Sequence, residues 1–101
     1  MAILTHQSVQ SFLDYLKFEK RYSFHTLTSY QTDLIDFIDF LETQFGGSSL
    51  EDVNHNYIRS WLAHLKEKGL SSKTLNRKIS SLKSFFKYHL KIGSINATPL
   101  A

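Results

Sequence analysis

The sequence predicts an all-α domain of four helices packed as a bundle. Three observations lead there. Apolar residues recur at spacings of three and four along most of the chain, no stretch alternates apolar and polar residues long enough to form a strand, and the single proline is Pro99. With 101 residues, 42% of them hydrophobic and 14% aromatic, the chain has the material for one core and reads as one domain.

The first helix is expected over residues 7–21, with Val9, Phe12, Leu13 and Leu16 on one stripe and Thr5 or Ser8 as its cap. The second begins after Ser23, a good N-cap, and runs to about residue 44. Leu27, Leu34, Phe37, Ile38, Leu41 and Phe45 form its buried stripe, with Tyr30 at the edge. Tyr22 and Phe24 flank the cap and are expected to pack as a hydrophobic staple. The outer face of this helix changes along its length, from His25, Thr26, Ser29 and Thr32 to Asp33, Asp36, Asp39 and Glu42. Gly46-Gly47-Ser48-Ser49 stops it and forms a loop.

The third helix is expected over residues 55–68, capped by Asn54, with Ile58, Trp61, Leu62 and Leu65 inward. Lys66 and Lys68 suit its negative end, and Gly69 supplies a left-handed stop. The fourth starts near Ser72 and runs to about Ile92, with Gly93 ending it. Leu75, Ile79, Leu82, Phe86 and Leu90 are assigned to the core; at roughly 100° per residue, Lys73, Thr74, Arg77, Ser81, Ser84 and Tyr88 then face solvent. The domain is therefore bounded at 1–93, and residues 94–101 read as a linker.

Several function classes are excluded by what the chain lacks. It has no cysteine, hence no disulfide framework and no thiolate metal site, which fits a reducing cytoplasm. Its histidines (His6, His25, His55, His64 and His89) include no i,i+4 pair, so no metal site is expected. No glycine-rich phosphate loop is present and no cofactor is implied. No Ser/His/Asp order marks a hydrolase. No apolar run reaches the roughly 20 residues of a membrane span, and the opening residues lack the basic-then-apolar pattern of a signal peptide.

The charge distribution points to a partner. Residues 1–65 carry four Lys and Arg against eight acids, whereas residues 66–101 carry eight against the single Glu67. A split of that size within one small domain indicates a polyanion. The fourth helix mixes Lys and Arg with Ser and Thr and has no acid, where an ordinary solvated helix alternates signs for i,i+4 pairing. Small hydroxyl side chains admit close approach to phosphates and base edges while the cations neutralise phosphate. The start of the second helix, with His25, Thr26 and Ser29 at a positive dipole end, can join that surface; its acidic end would point away.

These stretches resemble a known family. Phe12-Leu13-Asp14-Tyr15-Leu16, followed by the run from Lys20 to Leu34 with its T-L-x-x-Y-x-x-D-L core, resembles the opening of tyrosine recombinases of the phage-integrase and Xer type. Residues 69–88 look like the family's fourth helix, with Arg77, Ser80, Lys83, Phe86 and Tyr88 at R-x-x-S-x-x-[RK]-x-x-F-x-Y spacing. Asn96-Ala97-Thr98-Pro99 is similar to the family's N-P exit with two residues inserted. The resemblance implies a four-helix SAM-like orthogonal bundle, the core-binding domain, whose second and fourth helices cross the DNA major groove. By matching positions it implies DNA contacts from Thr26, Ser29, Tyr30, Lys73, Thr74, Arg77, Ser81 and Lys83. Periodicity sets Lys83 nearer the buried side, from which it would have to snorkel outward. The family's catalytic Arg-Lys-His-Arg cluster and nucleophilic Tyr have no counterpart here, so the chain is expected to be a fragment that is no enzyme by itself. A monomer in isolation, it would belong to a protein that tetramerises on double-stranded DNA.

Two other readings fit part of the pattern. The third helix, the Gly69-Leu70-Ser71 turn and the fourth helix have the layout of a helix-turn-helix regulator, which would leave the second helix out of binding. A helical protein-interaction module would instead expose an apolar patch.

Overall fold

A computed structural model describes residues 6–47 and 49–100. Thr5, one of the two expected caps of the first helix, and Ser48 in the glycine loop lie outside them. Among the described residues there are four α-helices and no strand: α1 (His6–Phe18), α2 (Phe24–Phe45), α3 (His55–Glu67) and α4 (Ser72–Lys91), with one 3-10 turn at Leu50–Asp52. The all-α four-helix class is as expected from the sequence.

Local chemistry sets the boundaries. Ser23 caps α2, its hydroxyl accepting from the Thr26 N–H. Ser71 caps α4 in the same way through Thr74, and Asn54 caps α3 through the N–H groups of Asn56 and Tyr57. Gly46 ends α2 in the left-handed region at φ 72°, its N–H bonded to the Glu42 carbonyl, while Gly47 bonds to Leu41. Ser8 lies inside α1 rather than capping it. That helix stops at Phe18, three residues before the expected end. Arg21 takes φ 55°, the only positive φ outside glycine among the described residues, and Tyr22 N–H returns to the Leu16 carbonyl. A left-handed turn at a side chain with a Cβ costs roughly 1–2 kcal/mol, which periodicity does not foresee.

The core is continuous through all four helices. Phe12 meets Phe85 edge-on at 5.6 Å and Phe37 meets Trp61 at 5.1 Å, and Val9, Leu34, Ile58 and Leu82 fill the space around them. α2 packs against α1, α3 and α4. Phe40 joins this core, while Phe45, expected inside, is partly exposed and stacks on Tyr57 at 4.4 Å. The staple does not form: Tyr22 stacks on Tyr30, but Phe24 is 78% exposed. Past Gly93 the chain returns to the core, burying Ile95 and resting Leu100 against it, so packing extends beyond the expected boundary at 93.

The register of α4 differs from the expectation by about one residue. Its buried positions are Lys78, Ser81, Leu82, Phe85, Phe86 and His89, whereas Leu75 and Ile79 are half-buried and Leu90 is exposed. Polar side chains enter the interior because each finds a partner there. His89 donates from Nε2 to the Ser8 carbonyl at 3.2 Å and lies against Phe85 at 4.7 Å, with its Nδ1 unpaired. Burial pushes the His89 imidazole below its usual 6.5, and the bond to Ser8 only partly opposes this. The unfolded chain therefore takes up this proton first, and the neutral ring's contribution is lost as pH falls below about 6.5. Thermal unfolding should show Tm falling between pH 8 and pH 5.5, and His89→Gln, which keeps a donor to Ser8, should flatten that slope.

Candidate nucleic-acid interface

The polar residues of α2 and α4 meet at a buried carboxylate. Asp33 has no exposed surface, and all its partners come from α4. Arg77 approaches side-on, Nη2 to Oδ1 at 2.8 Å and Nε to Oδ2 at 3.3 Å. Lys78 Nζ donates to Asp33 Oδ1 at 3.1 Å and to Asp36 Oδ2 at 2.8 Å, and lies 5.9 Å from the Trp61 ring centroid. Ser81 Oγ donates to Asp33 Oδ2 at 2.7 Å. Burial would raise the Asp33 carboxyl and is the largest single influence on it. The hydrogen bonds from Arg77, Ser81 and Lys78, with the charge of Lys78, outweigh it and hold the group below the ordinary 3.8.

This network relocates three residues assigned by periodicity. Asp33 is not on the solvent face of α2. Ser81 is buried, with its hydroxyl spent on Asp33, so it does not face solvent from α4; Ser80 is exposed in its place. Lys83 is exposed outright and does not need to snorkel from a buried position. The observed outer face of α4 runs Lys73, Asn76, Arg77, Ser80, Lys83, Ser84, Lys87 and Lys91, still without an acid. Lys73, Lys83 and Lys87 make no ion pair among the described residues, whereas Arg77 and Lys78 are compensated by Asp33 and Asp36.

The remaining candidates divide by role. Ser29 and Thr26 are exposed at the start of α2, on the helical stripe that continues to Asp33 and so on the side of α2 turned to α4. Thr26 and Thr74 also complete matched caps, their hydroxyls 3.0 and 3.1 Å from those of Ser23 and Ser71. Tyr30 is half-buried, edge-on to Phe12 and stacked with Tyr22. It lines a groove of about 420 Å³ together with Lys20, Tyr22, Ser84, Lys87 and Lys91. Lys20, Ser80, Lys87 and Lys91 were not assigned as contacts from the sequence, although Ser80 stands in the R-x-x-S motif. A register that turns Phe85 inward together with Phe86 places Ser80 and Lys87 outward, and only the fold brings Lys20 to this groove.

The family is decided by comparison with known proteins. Residues 9–93 match the phage integrase N-terminal SAM-like domain. The chain belongs to this family. Tyrosine recombinase XerC of Listeria monocytogenes is 42% identical over 90 residues, covering 89% of this chain and 30% of that protein. The protein of the same name from Bacillus licheniformis is 39% identical over 88 residues, covering 87% and 29%. That of Chlorobaculum parvum is 33% identical over 98 residues, covering 92% and 29%. The chain thus spans about 30% of the length of the curated relatives it matches. No solved structure matches it. Among the described residues no helix is long and apolar enough to cross a membrane, and no cluster of three metal-binding side chains occurs.

Asp33→Ala removes the one charge that faces both Arg77 and the buried Lys78. Breaking a buried pair in this way should cost about 3–5 kcal/mol, read as a lower urea midpoint with little change in slope.

Proposed function

We propose that this chain is the DNA-gripping arm of a site-specific tyrosine recombinase, holding duplex DNA while another part of the protein performs strand cleavage. The observation that carries this reading is the outer face of α4, a polar surface with Arg77 and five exposed neighbours of Lys or Ser type and no acid. Membership of the integrase family supports it, as do relatives named as tyrosine recombinases. At 20 residues α4 is about 30 Å long, enough to lie along a major groove about 12 Å wide. Lys73, Lys83 and Lys87 neutralise phosphates, Thr26, Ser29, Thr74 and Ser84 allow close approach, and Tyr30 supports the start of α2 from behind. Ser81 acts from inside, through Asp33. Residues 94–101 lead towards the catalytic part, and the whole protein acts as a tetramer on DNA in the cytoplasm.

Fluorescence anisotropy with a labelled duplex tests this at two salt concentrations. Affinity should fall steeply between 50 and 200 mM salt, and Lys83→Gln and Lys87→Gln should each lower the salt slope by about 1. If affinity is independent of salt and unchanged by both substitutions, the proposal fails. In an NMR titration with the same duplex, amide shifts confined to α3 and α4 would favour the helix-turn-helix reading.

A further inference from the structure

Arg77 differs from the other cations of the α4 face in one respect: its orientation is fixed from below. The guanidinium carries five N–H donors in a rigid plane. Asp33 occupies the Nε edge, with Nε and one proton of Nη2 bonded to its two oxygens. Three donors remain, the two on Nη1 and the second on Nη2. One proton of Nη1 and the remaining proton of Nη2 form the end-on edge of the fork, a different edge of the same plane from the one that Asp33 occupies. The side chain is 53% exposed although Asp33 is wholly buried, so the free edge is the part in solvent. Asp33 is in turn held by Ser81 and by Lys78, whose side chain is only 5% exposed. The support is therefore rigid, and Lys78 cannot reach outward to share the task.

We infer that Asp33 is a positioning residue that presents the end-on edge of Arg77 to a planar pair of acceptors on the DNA, either guanine O6 and N7 or two oxygens of one phosphate. The inference rests on the DNA-binding reading and deepens it. Lys73, Lys83 and Lys87 are flexible point charges without such support. Arg77 is the exposed cation of this face that an ion pair to a buried carboxylate orients before binding, so little side-chain freedom remains to be lost when its bonds form. Made to guanine, a bidentate contact discriminates against the wrong base by about 5- to 150-fold, whereas made to phosphate it adds affinity and register without reading sequence.

A double-mutant cycle on the 101-residue chain tests it, with anisotropy of a 24-base-pair duplex as readout and Tm followed in parallel. Arg77→Ala should weaken binding at least fivefold, and Asp33→Asn should weaken it nearly as much. In the Arg77→Ala background, Asp33→Asn should change affinity less than twofold while still lowering Tm, because Asp33 acts on DNA only through Arg77. Additive effects would show that Asp33 merely keeps the fold, and would overturn the inference. Should Asp33→Asn not fold, Arg77→Lys serves instead. It keeps the charge and the pair with Asp33 but has no planar fork, and it should lose at least fivefold at unchanged Tm; wild-type affinity would sink the idea. Replacing guanine by 7-deazaguanine separates the two acceptors. A loss seen with wild type and absent in Arg77→Lys assigns the guanine edge; no loss, with a salt slope about 1 lower in Arg77→Ala, assigns phosphate. Absence of any wild-type binding at low salt would instead overturn the DNA reading and this inference with it.

Discussion

Asp33 brings a charge into the space between α2 and α4 where no water reaches it, and four hydrogen bonds from three side chains of one helix meet it there. An isolated carboxylate in that position is strongly unfavourable, so the fold holds only if α4 presents Arg77, Lys78 and Ser81 together. These positions lie within about one helical turn, and they fix the rotation of α4 about its own axis. Once that rotation is set, Leu82, Phe85, Phe86 and His89 are turned inward, and Lys73, Ser80, Lys83, Ser84 and Lys87 are turned outward. The proposed interface is in this sense a consequence of the buried ion network rather than of the apolar stripe alone.

That dependence explains which parts could be read from the sequence. Helix number, order and the caps of α2 and α3 were legible because they rest on local signals: Ser23 and Asn54 each bond their own first turn, and Gly46 takes the left-handed turn that ends α2. The rotation of α4 was not legible. The stripe through Leu75, Ile79, Leu82, Phe86 and Leu90 is more apolar than the true one, which contains a lysine, a serine and a histidine. Hydropathy counts each side chain by its own transfer cost, and cannot register that Lys78 meets two carboxylates or that His89 meets the Ser8 carbonyl. The partners are more than forty positions distant in the chain, beyond any periodic pattern. Arg21 hid the end of α1 for a related reason, since a left-handed residue other than glycine leaves no mark in composition.

The candidate site was legible to the same depth. The acid-free character of α4 survives the change of register because it belongs to the whole helix; the individual contacts do not survive equally. Ser81 and Ser80 exchange roles, one supporting the network and the other facing outward. Thr26 and Thr74 prove to be capping hydroxyls as well as surface ones.

Charge counting from the sequence also overstates what α4 offers a polyanion. Of the eight cations in the last third of the chain, Arg77 and Lys78 have their charge balanced inside the protein by Asp33 and Asp36. The long-range attraction for a polyanion is left to the hydrated lysines, which in the proposed binding mode would set encounter and salt dependence. Arg77 adds little net field, yet it has the one geometry on this face that is defined before a partner arrives. Attraction and orientation thus reside in different residues of the same helix. The acids of α2 expected to face away from a polyanion divide likewise: Asp33 and Asp36 are neutralised at the crossing with α4, and only the exposed Asp39 and Glu42, further along α2, remain to repel a phosphate backbone. In the proposed binding mode, a duplex held by the start of α2 and the outer face of α4 would meet the repulsive end of α2 last, so the helix that anchors the network would also limit how far along it DNA could lie.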